Sequence, residues 1–287
     1  MKPRSITRIV RARPASDGAG VKIQRLAGFG SQLNMDPFLM LDEIRSENKD
    51  DYIAGFPPHP HRGFETVTYM RAGGFSHKDS MGNEGAIEAG GAQWMTAASG
   101  VIHSEMPKVA DDDEAGMHGF QFWLNLPAAE KMGRPGYRDI QAEEVVDFHA
   151  GDAHVRLIAG EMRRDAGPIV GAVNGKTTRP LLADVMLPGG GRASLGYADD
   201  LASQFYVYRG EVKVGDKTAS QGELAQLDHG DSLQIASEGE AGLLLFGGLP
   251  LNEPVAPYGP FVMKTEEEID QAILEVRGGT RGRRARG

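Results

Sequence analysis

Phe56-Pro57-Pro58-His59-Pro60-His61-Arg62-Gly63-Phe64-Glu65-Thr66-Val67-Thr68-Tyr69-Met70 opens the stretch that decides how this chain is read. Gln93-Trp94-Met95-Thr96 and then Ser99-Gly100-Val101-Ile102-His103-Ser104-Glu105 close it. Thr66 to Met70 is rich in β-branched and aromatic residues and reads as a strand. In extended backbone, residues two apart leave the same face. His59 with His61, and His103 with Glu105, are therefore expected to aim four metal-binding side chains at one spot from two facing strands. Pro60 cannot donate to a ladder and biases His59 toward extended backbone, which places the pair at a strand start or edge, at the lip of a barrel. Glu65 shares the parity of His61. Two carboxylates thus compete to complete the three histidines; geometry favours Glu105, two residues beyond His103, and leaves Glu65 open.

Working outward, 287 residues allow one large or two ordinary domains. The chain is 40% hydrophobic and 25% charged, as expected of a soluble globular protein. Its 39 glycines favour short strands joined by many turns. A formal charge of −9 argues against nucleic-acid binding through bulk electrostatics. The absence of cysteine excludes disulfides, thiolate zinc sites, iron–sulfur clusters and thiol nucleophiles, so any metal is held by histidine and carboxylate. The basic amino terminus (Lys2, Arg4, Arg8, Arg11, Arg13) lacks a signal-peptide apolar run, and the longest such run, Leu243 to Phe246, is too short to span a bilayer. A cytoplasmic location is the expectation.

Strands are expected at Val21–Ile23, Gln121–Leu126, Val155–Gly160, Leu181–Leu187, Gln204–Tyr208 and Leu243–Phe246, and Asp36–Glu43 reads as a buried segment bounded by turn residues. Pro127–Met132 reads as one or two helical turns, broken by Gly133 to Gly136. Two segments of the second half echo the first in the same order. Tyr206-Val207-Tyr208-Arg209-Gly210 matches Tyr69-Met70-Arg71-Ala72-Gly73, and Gly222–Leu227 matches Gly90–Met95. A duplicated barrel follows. The expected organisation is a metal-binding barrel over 1–132, a second barrel over 138–277 closed by a helix at 265–277, and a disordered tail at 278–287. Thr265-Glu266-Glu267-Glu268 is a capping box, and Ile269, Ala272, Ile273 and Val276 share one helical face, expected to pack across a barrel. Asp111–Glu114 reads as a solvated connection, and the tail arginines as solubilising. His77 and His118 either line the site or face solvent. Phe56, Phe64, Trp94, Phe122 and Trp123 are expected in the core.

The spacing His-x-His-x-x-x-Glu with a later histidine is the general metal pattern of cupin barrels. The long opening motif, with Gln93–Ala97 and Gly100–Pro107, resembles the pirin family. So do Asp36-Pro37-Phe38, His118–Pro127 and Pro257–Met263. The chain departs from that family at Gly90-Gly91-Ala92-Gln93 and at Thr96-Ala97-Ala98-Ser99-Gly100, neither of which touches a candidate ligand. The resemblance implies an all-β bicupin: two stacked cupin (double-stranded β-helix, jelly-roll) barrels with a few short helices and metal only in the first. It implies iron, as Fe(II), held by His59, His61, His103 and Glu105, which makes Glu65 a supporting carboxylate. The donor set also suits Mn(II), Co(II), Ni(II), Cu(II) or Zn(II). It further implies quercetin 2,3-dioxygenase activity, cleaving a flavonol with O2 and releasing carbon monoxide, with Glu105 as catalytic base. An iron-binding, redox-sensitive regulator that binds a protein partner is the alternative it implies. By analogy with other bicupins the chain is expected to be a monomer.

Overall fold

The strand ladders set out below come from a computed structural model that describes residues 2–28, 33–108, 116–164 and 166–277. The expectations for Asp111–Glu114 and for the tail at 278–287 fall outside the described residues. The fold is all-β, and its strands pair antiparallel.

Two compact units emerge. One, bearing the histidines, comprises 14–31, 38–142 and 252–287; the other comprises 1–13, 32–37 and 143–251. A division along the chain at 132 and 138 was the expectation, and the terminal segments depart from it. Ile6–Arg11 joins the later unit because it pairs with Glu223–Leu227 through a backbone ladder. The carboxy-terminal segment returns to the earlier unit. Its hairpin of Ala256–Tyr258 and Phe261–Met263 bridges to Arg62 through Phe261.

The histidine-bearing unit is built from two sheets. A four-stranded sheet runs Phe56–His61, Val101–Lys108, Gly74–Asp79, Glu84–Ile87. A seven-stranded sheet runs Gly136–Ile140, Ala92–Thr96, Phe64–Ala72, Met117–Asn125, Phe38–Ser46, Val21–Ala27, Arg13–Asp17. Three prolines fall in Phe56–His61, and that strand lies at a sheet edge, where a missing N–H costs no ladder bond. The aromatic positions expected in the core are there: Phe64 and Phe122 are fully buried, and Phe56, Trp94 and Trp123 nearly so. Each such ring contributes on the order of 1.5–3 kcal/mol of burial.

The second unit repeats the ladder. Ala92–Thr96, Phe64–Ala72 and Met117–Asn125 lie side by side in the first, and Glu223–Leu227, Ala202–Arg209 and Ala241–Gly248 do so in the second. The two echoing segments occupy equivalent central strands, and both turn through a glycine in the left-handed region, Gly73 at φ 70 and Gly210 at φ 67. The strands equivalent to Phe56–His61 and Val101–Lys108 are Arg192–Gly196 and Ser232–Ala236. Ala193, Leu195, Leu233 and Ile235 fill them toward an apolar core. Where the first unit places imidazoles, the second places aliphatic side chains.

The helix spans Glu266–Arg277. The Glu268 N–H donates to Thr265 Oγ1 at 3.3 Å, while the Glu268 carboxylate accepts from the Lys264 N–H at 2.9 Å, one residue earlier than a standard capping box. Ile269 and Ala272 pack on Phe261 and Met263, so the helix covers the terminal hairpin. Pro127–Met132 forms a turn, with the Glu130 and Lys131 N–H groups both donating to the Pro127 carbonyl. Among the described residues no helix is long and apolar enough to cross a membrane.

Candidate metal centre

His59 and His103 are direct cross-strand partners, with His61 opposite Val101. The two strands are thus neighbours within one sheet, where facing strands were expected. The convergence survives because directly paired residues put their Cβ atoms about 4.5–5.5 Å apart on one face. The three ring centroids lie 4.4 to 4.9 Å from one another, and one nitrogen from each ring falls within 4.8 Å of the others. Among the described residues this is the group of three such donors that the fold assembles. His61 and His103 are buried, whereas His59 is half-buried and marks the open side.

Hydrogen bonding orients these rings. His59 Nδ1 lies 2.8 Å from the Pro57 carbonyl, and His61 Nδ1 lies 3.4 Å from the Pro260 carbonyl. A carbonyl only accepts, so both Nδ1 atoms carry the proton and both Nε2 atoms present a lone pair. Those two Nε2 atoms face each other at 2.9 Å. Burial, reinforced by His59, lowers the pKa of His61 to about 3. Burial also lowers His103 well below the usual imidazole range. At neutral pH these two rings are uncharged. Two lone pairs at that separation repel unless a proton or cation lies between them. Metal–nitrogen bonds of about 2.0–2.1 Å at right angles put two nitrogens about 2.9 Å apart. His103 Nε2 is buried and has no hydrogen-bond partner. The donor set fits a transition-metal ion on these three observations.

Glu105 lies outside that 4.8 Å group. It is 2% exposed, and a register shift separates it from His103 along the pairing with Phe56–His61. Its carboxylate reaches the opposite sheet, accepting from Thr68 Oγ1 at 2.9 Å and Gln121 Nε2 at 2.8 Å. Thr68 and Gln121 are themselves cross-strand partners, so they grip the carboxylate as a fork. No cation pairs with it among the described residues, and a buried carboxylate held by neutral donors alone favours a positive charge nearby. Glu65, also buried, accepts from Thr96 Oγ1 at 2.5 Å.

Around the cluster, Phe64 and Trp123 pack on His61 at 5.1 and 5.3 Å between centroids. Phe56 instead packs with Phe75 in a separate core. Arg62, which follows His61, pairs with Glu275 of the helix at 2.7 Å. Lys131 Nζ donates to the carbonyls of Gly63 and Val262 and to Asn125 Oδ1, which ties the turn after His61 to the terminal hairpin. Burial lowers this ammonium to about 8. His118 Nε2 donates to the Glu43 carboxylate at 2.8 Å and stands apart from the cluster, whereas His77 is 1% exposed with its ring 5.3 Å from that of His103. The Pro260 carbonyl and the Thr68–Gln121 fork were not readable in the sequence, because both come from distant segments. His77-x-Asp79 carried a local signal: two polar residues of one parity beside the ligand strand.

The pirin family profile matches residues 20–124, and that of the pirin C-terminal cupin domain matches residues 182–282. The chain belongs to the pirin family. A Pseudomonas aeruginosa relative, provisionally named a quercetin 2,3-dioxygenase, is 46% identical over 96% of this chain and 97% of its own. The pirin of Homo sapiens is 37% identical over 97% of this chain and 94% of its own. The crystal structure of quercetin 2,3-dioxygenase from Acinetobacter baumannii superposes with a TM-score of 0.87 at 31% identity, covering 98% of this chain and 99% of that one. This member of the family therefore has the two-domain cupin fold, and His59, His61 and His103 form a cluster with the spacing to hold a metal ion.

Proposed function

We propose that this pirin is a metal-dependent dioxygenase that cleaves a flavonol such as quercetin with O2, releasing carbon monoxide. The observation that carries the proposal is the trio of imidazoles, two of them buried, with Nε2 lone pairs converging and no partner for His103 Nε2. The names of the Pseudomonas relative and the Acinetobacter structure support the substrate class. His59, His61 and His103 hold the ion, and Glu105 completes the set as its carboxylate. Fe(II) is assigned on the family resemblance; the same donors also suit Mn(II), Co(II), Ni(II), Cu(II) or Zn(II).

Bound there, the ion supplies Lewis-acid polarisation and redox chemistry. The chain's own residues do the rest. His61 and His103, neutral through burial, keep their lone pairs available at neutral pH. Phe64 and Trp123 back the cluster with flat apolar surface, which keeps water off the buried side. Glu105, steadied by Thr68 and Gln121, accepts the proton of the substrate hydroxyl at a carboxylate oxygen. His59 faces the open side, where a planar substrate enters.

The test is anaerobic loading with Fe(II), followed by quercetin and O2, with oxygen uptake, flavonol absorbance and carbon monoxide followed together. Matched loss of flavonol and O2, abolished in His103→Ala, is expected. Loaded protein that leaves flavonols and O2 untouched would overturn the reading and favour a regulator whose iron gates a protein partner.

A further inference from the structure

We infer that His77 and Asp79 set the tautomer and ring orientation of His103, and so act as positioning residues for the metal centre. The inference rests on the metal reading proposed above. On Gly74–Asp79, His77 lies across from Glu105 and Asp79 across from His103, with both side chains on one face. The Asp79 side chain is 1% exposed and His77's is fully buried.

The proton positions follow from acceptor chemistry. Asp79 Oδ1 accepts from the Met81 and Asn83 N–H groups at 2.8 and 3.0 Å, and Oδ2 accepts from Asn83 Nδ2 at 2.8 Å. Burial works against this charge, but the Asn83 hydrogen bonds, with those of His77 and the Met81 N–H, hold the carboxyl below its ordinary range. A carboxylate donates nothing, so His77 Nε2, 3.2 Å from Oδ2, carries the hydrogen. In a neutral ring His77 Nδ1 is then an acceptor. It faces His103 Nδ1 at 3.4 Å, so His103 Nδ1 carries the hydrogen and donates. What remains is a lone pair on His103 Nε2, the buried atom that has no other partner. Histidine ligands are commonly held in this way, their far N–H directed to a carboxylate or carbonyl. Here a second imidazole relays the carboxylate's preference over a gap it does not span alone.

The relay is itself braced. Tyr137 stacks on His77 at 4.3 Å and 23° between planes, and its hydroxyl donates to Asp139 Oδ1 at 2.6 Å while accepting from Gln93 Nε2 at 3.0 Å. His59 and His61 use backbone carbonyls for the same purpose, which no side-chain change removes. His103 alone depends on side chains.

Asp79→Asn is the sharpest perturbation. The asparagine oxygen can still accept the two turn N–H groups, while its amide nitrogen now donates to His77 Nε2. That moves the His77 hydrogen to Nδ1 and forces the His103 hydrogen onto Nε2, where the lone pair is needed. Long-range 1H–15N correlation on metal-free protein reads these tautomers directly. Wild type is expected to show His103 as the Nδ1–H form, and Asp79→Asn as the Nε2–H form. Co(II) affinity, titrated anaerobically by visible absorption, should fall about 10–100-fold in Asp79→Asn and His77→Leu. His77→Asn, whose side-chain oxygen takes the place of Nδ1, should retain most of the affinity, which a merely structural role would not discriminate. An Nε2–H His103 in wild type would overturn the inference without any variant. So would unchanged tautomer and affinity in Asp79→Asn. Wild type that shows the Nδ1–H form but takes up no Co(II) would leave this assignment standing and remove the metal reading alone.

Discussion

Acidifying the metal-free protein should unfold it through its buried imidazoles, and the size of the effect follows from burial. His61 has its pKa lowered to about 3 by burial and by His59, against an ordinary imidazole value of 6.5. His103 is lowered in the same direction by burial and by the neighbouring histidines. Between those limits the unfolded chain binds protons that the folded chain refuses, so stability is full above about pH 6.5 and is lost as pH falls toward 3. Each such group lowers stability by about 1.36 kcal/mol per pH unit in that window. From pH 7.5 to pH 5 this amounts to about 2 kcal/mol for His61. His103, lowered in the same direction by burial, adds to this loss. Most carboxylates of the unfolded chain stay ionised over this range and contribute little slope. Urea unfolding of chelated protein at pH 7.5, 6 and 5 should therefore show a loss of at least about 2 kcal/mol. His61→Gln should remove about 2 kcal/mol of it. Stability that is flat from pH 7.5 to 5, or an equal slope in His61→Gln, would refute the claim that these rings are buried and neutral.

Three further outcomes follow from the same geometry. Gly85→Ala should cost about 1–3 kcal/mol in a urea melt, because a Cβ there would meet Asp139 Oδ2 at 1.9 Å and the Tyr137 hydroxyl at 2.4 Å; an unchanged midpoint would show that this corner has room. Glu105→Gln should leave the metal-free melting temperature level or higher, since it removes an unpaired buried charge, yet weaken Co(II) binding about tenfold or more; equal affinity would exclude the carboxylate from the ion's surroundings. Metal at a hundredfold excess over its dissociation constant should add about 2.7 kcal/mol to wild-type stability, and a chelator should reverse this; no shift in melting temperature would argue against the site.

Much of the centre was readable from residue order alone, because a period of two is local. His59 with His61 and His103 with Glu105 have the parity expected, and Pro60 marked the edge strand. What parity cannot supply is the partner. His59 and His103 proved to be paired neighbours in one sheet, and the Glu105 carboxylate is held by Thr68 and Gln121 of the other sheet. The carbonyl that orients His61 comes from Pro260, 199 residues away, which no local pattern encodes. The compact units mix chain ends for a related reason: a backbone ladder at Ile6–Arg11 and a bridge at Phe261 tie the chain ends to the unit they do not adjoin in sequence. The duplication was legible because the echoing strands keep the same ladder order and the same left-handed glycine, Gly73 and Gly210. Pro127–Met132, expected as one or two helical turns, closes as a single turn, its Lys131 drawn into hydrogen bonds with Gly63 and Val262.

Counting the ions is the most direct test of the central claim that three imidazoles converge on one. Anaerobic equilibrium dialysis of wild-type protein against Fe(II) should give one ion per chain, with uptake lost in His103→Ala while the fold persists by circular dichroism. Wild-type protein that binds no ion, or a folded His59→Ala/His61→Ala/His103→Ala variant that still binds one, would contradict it.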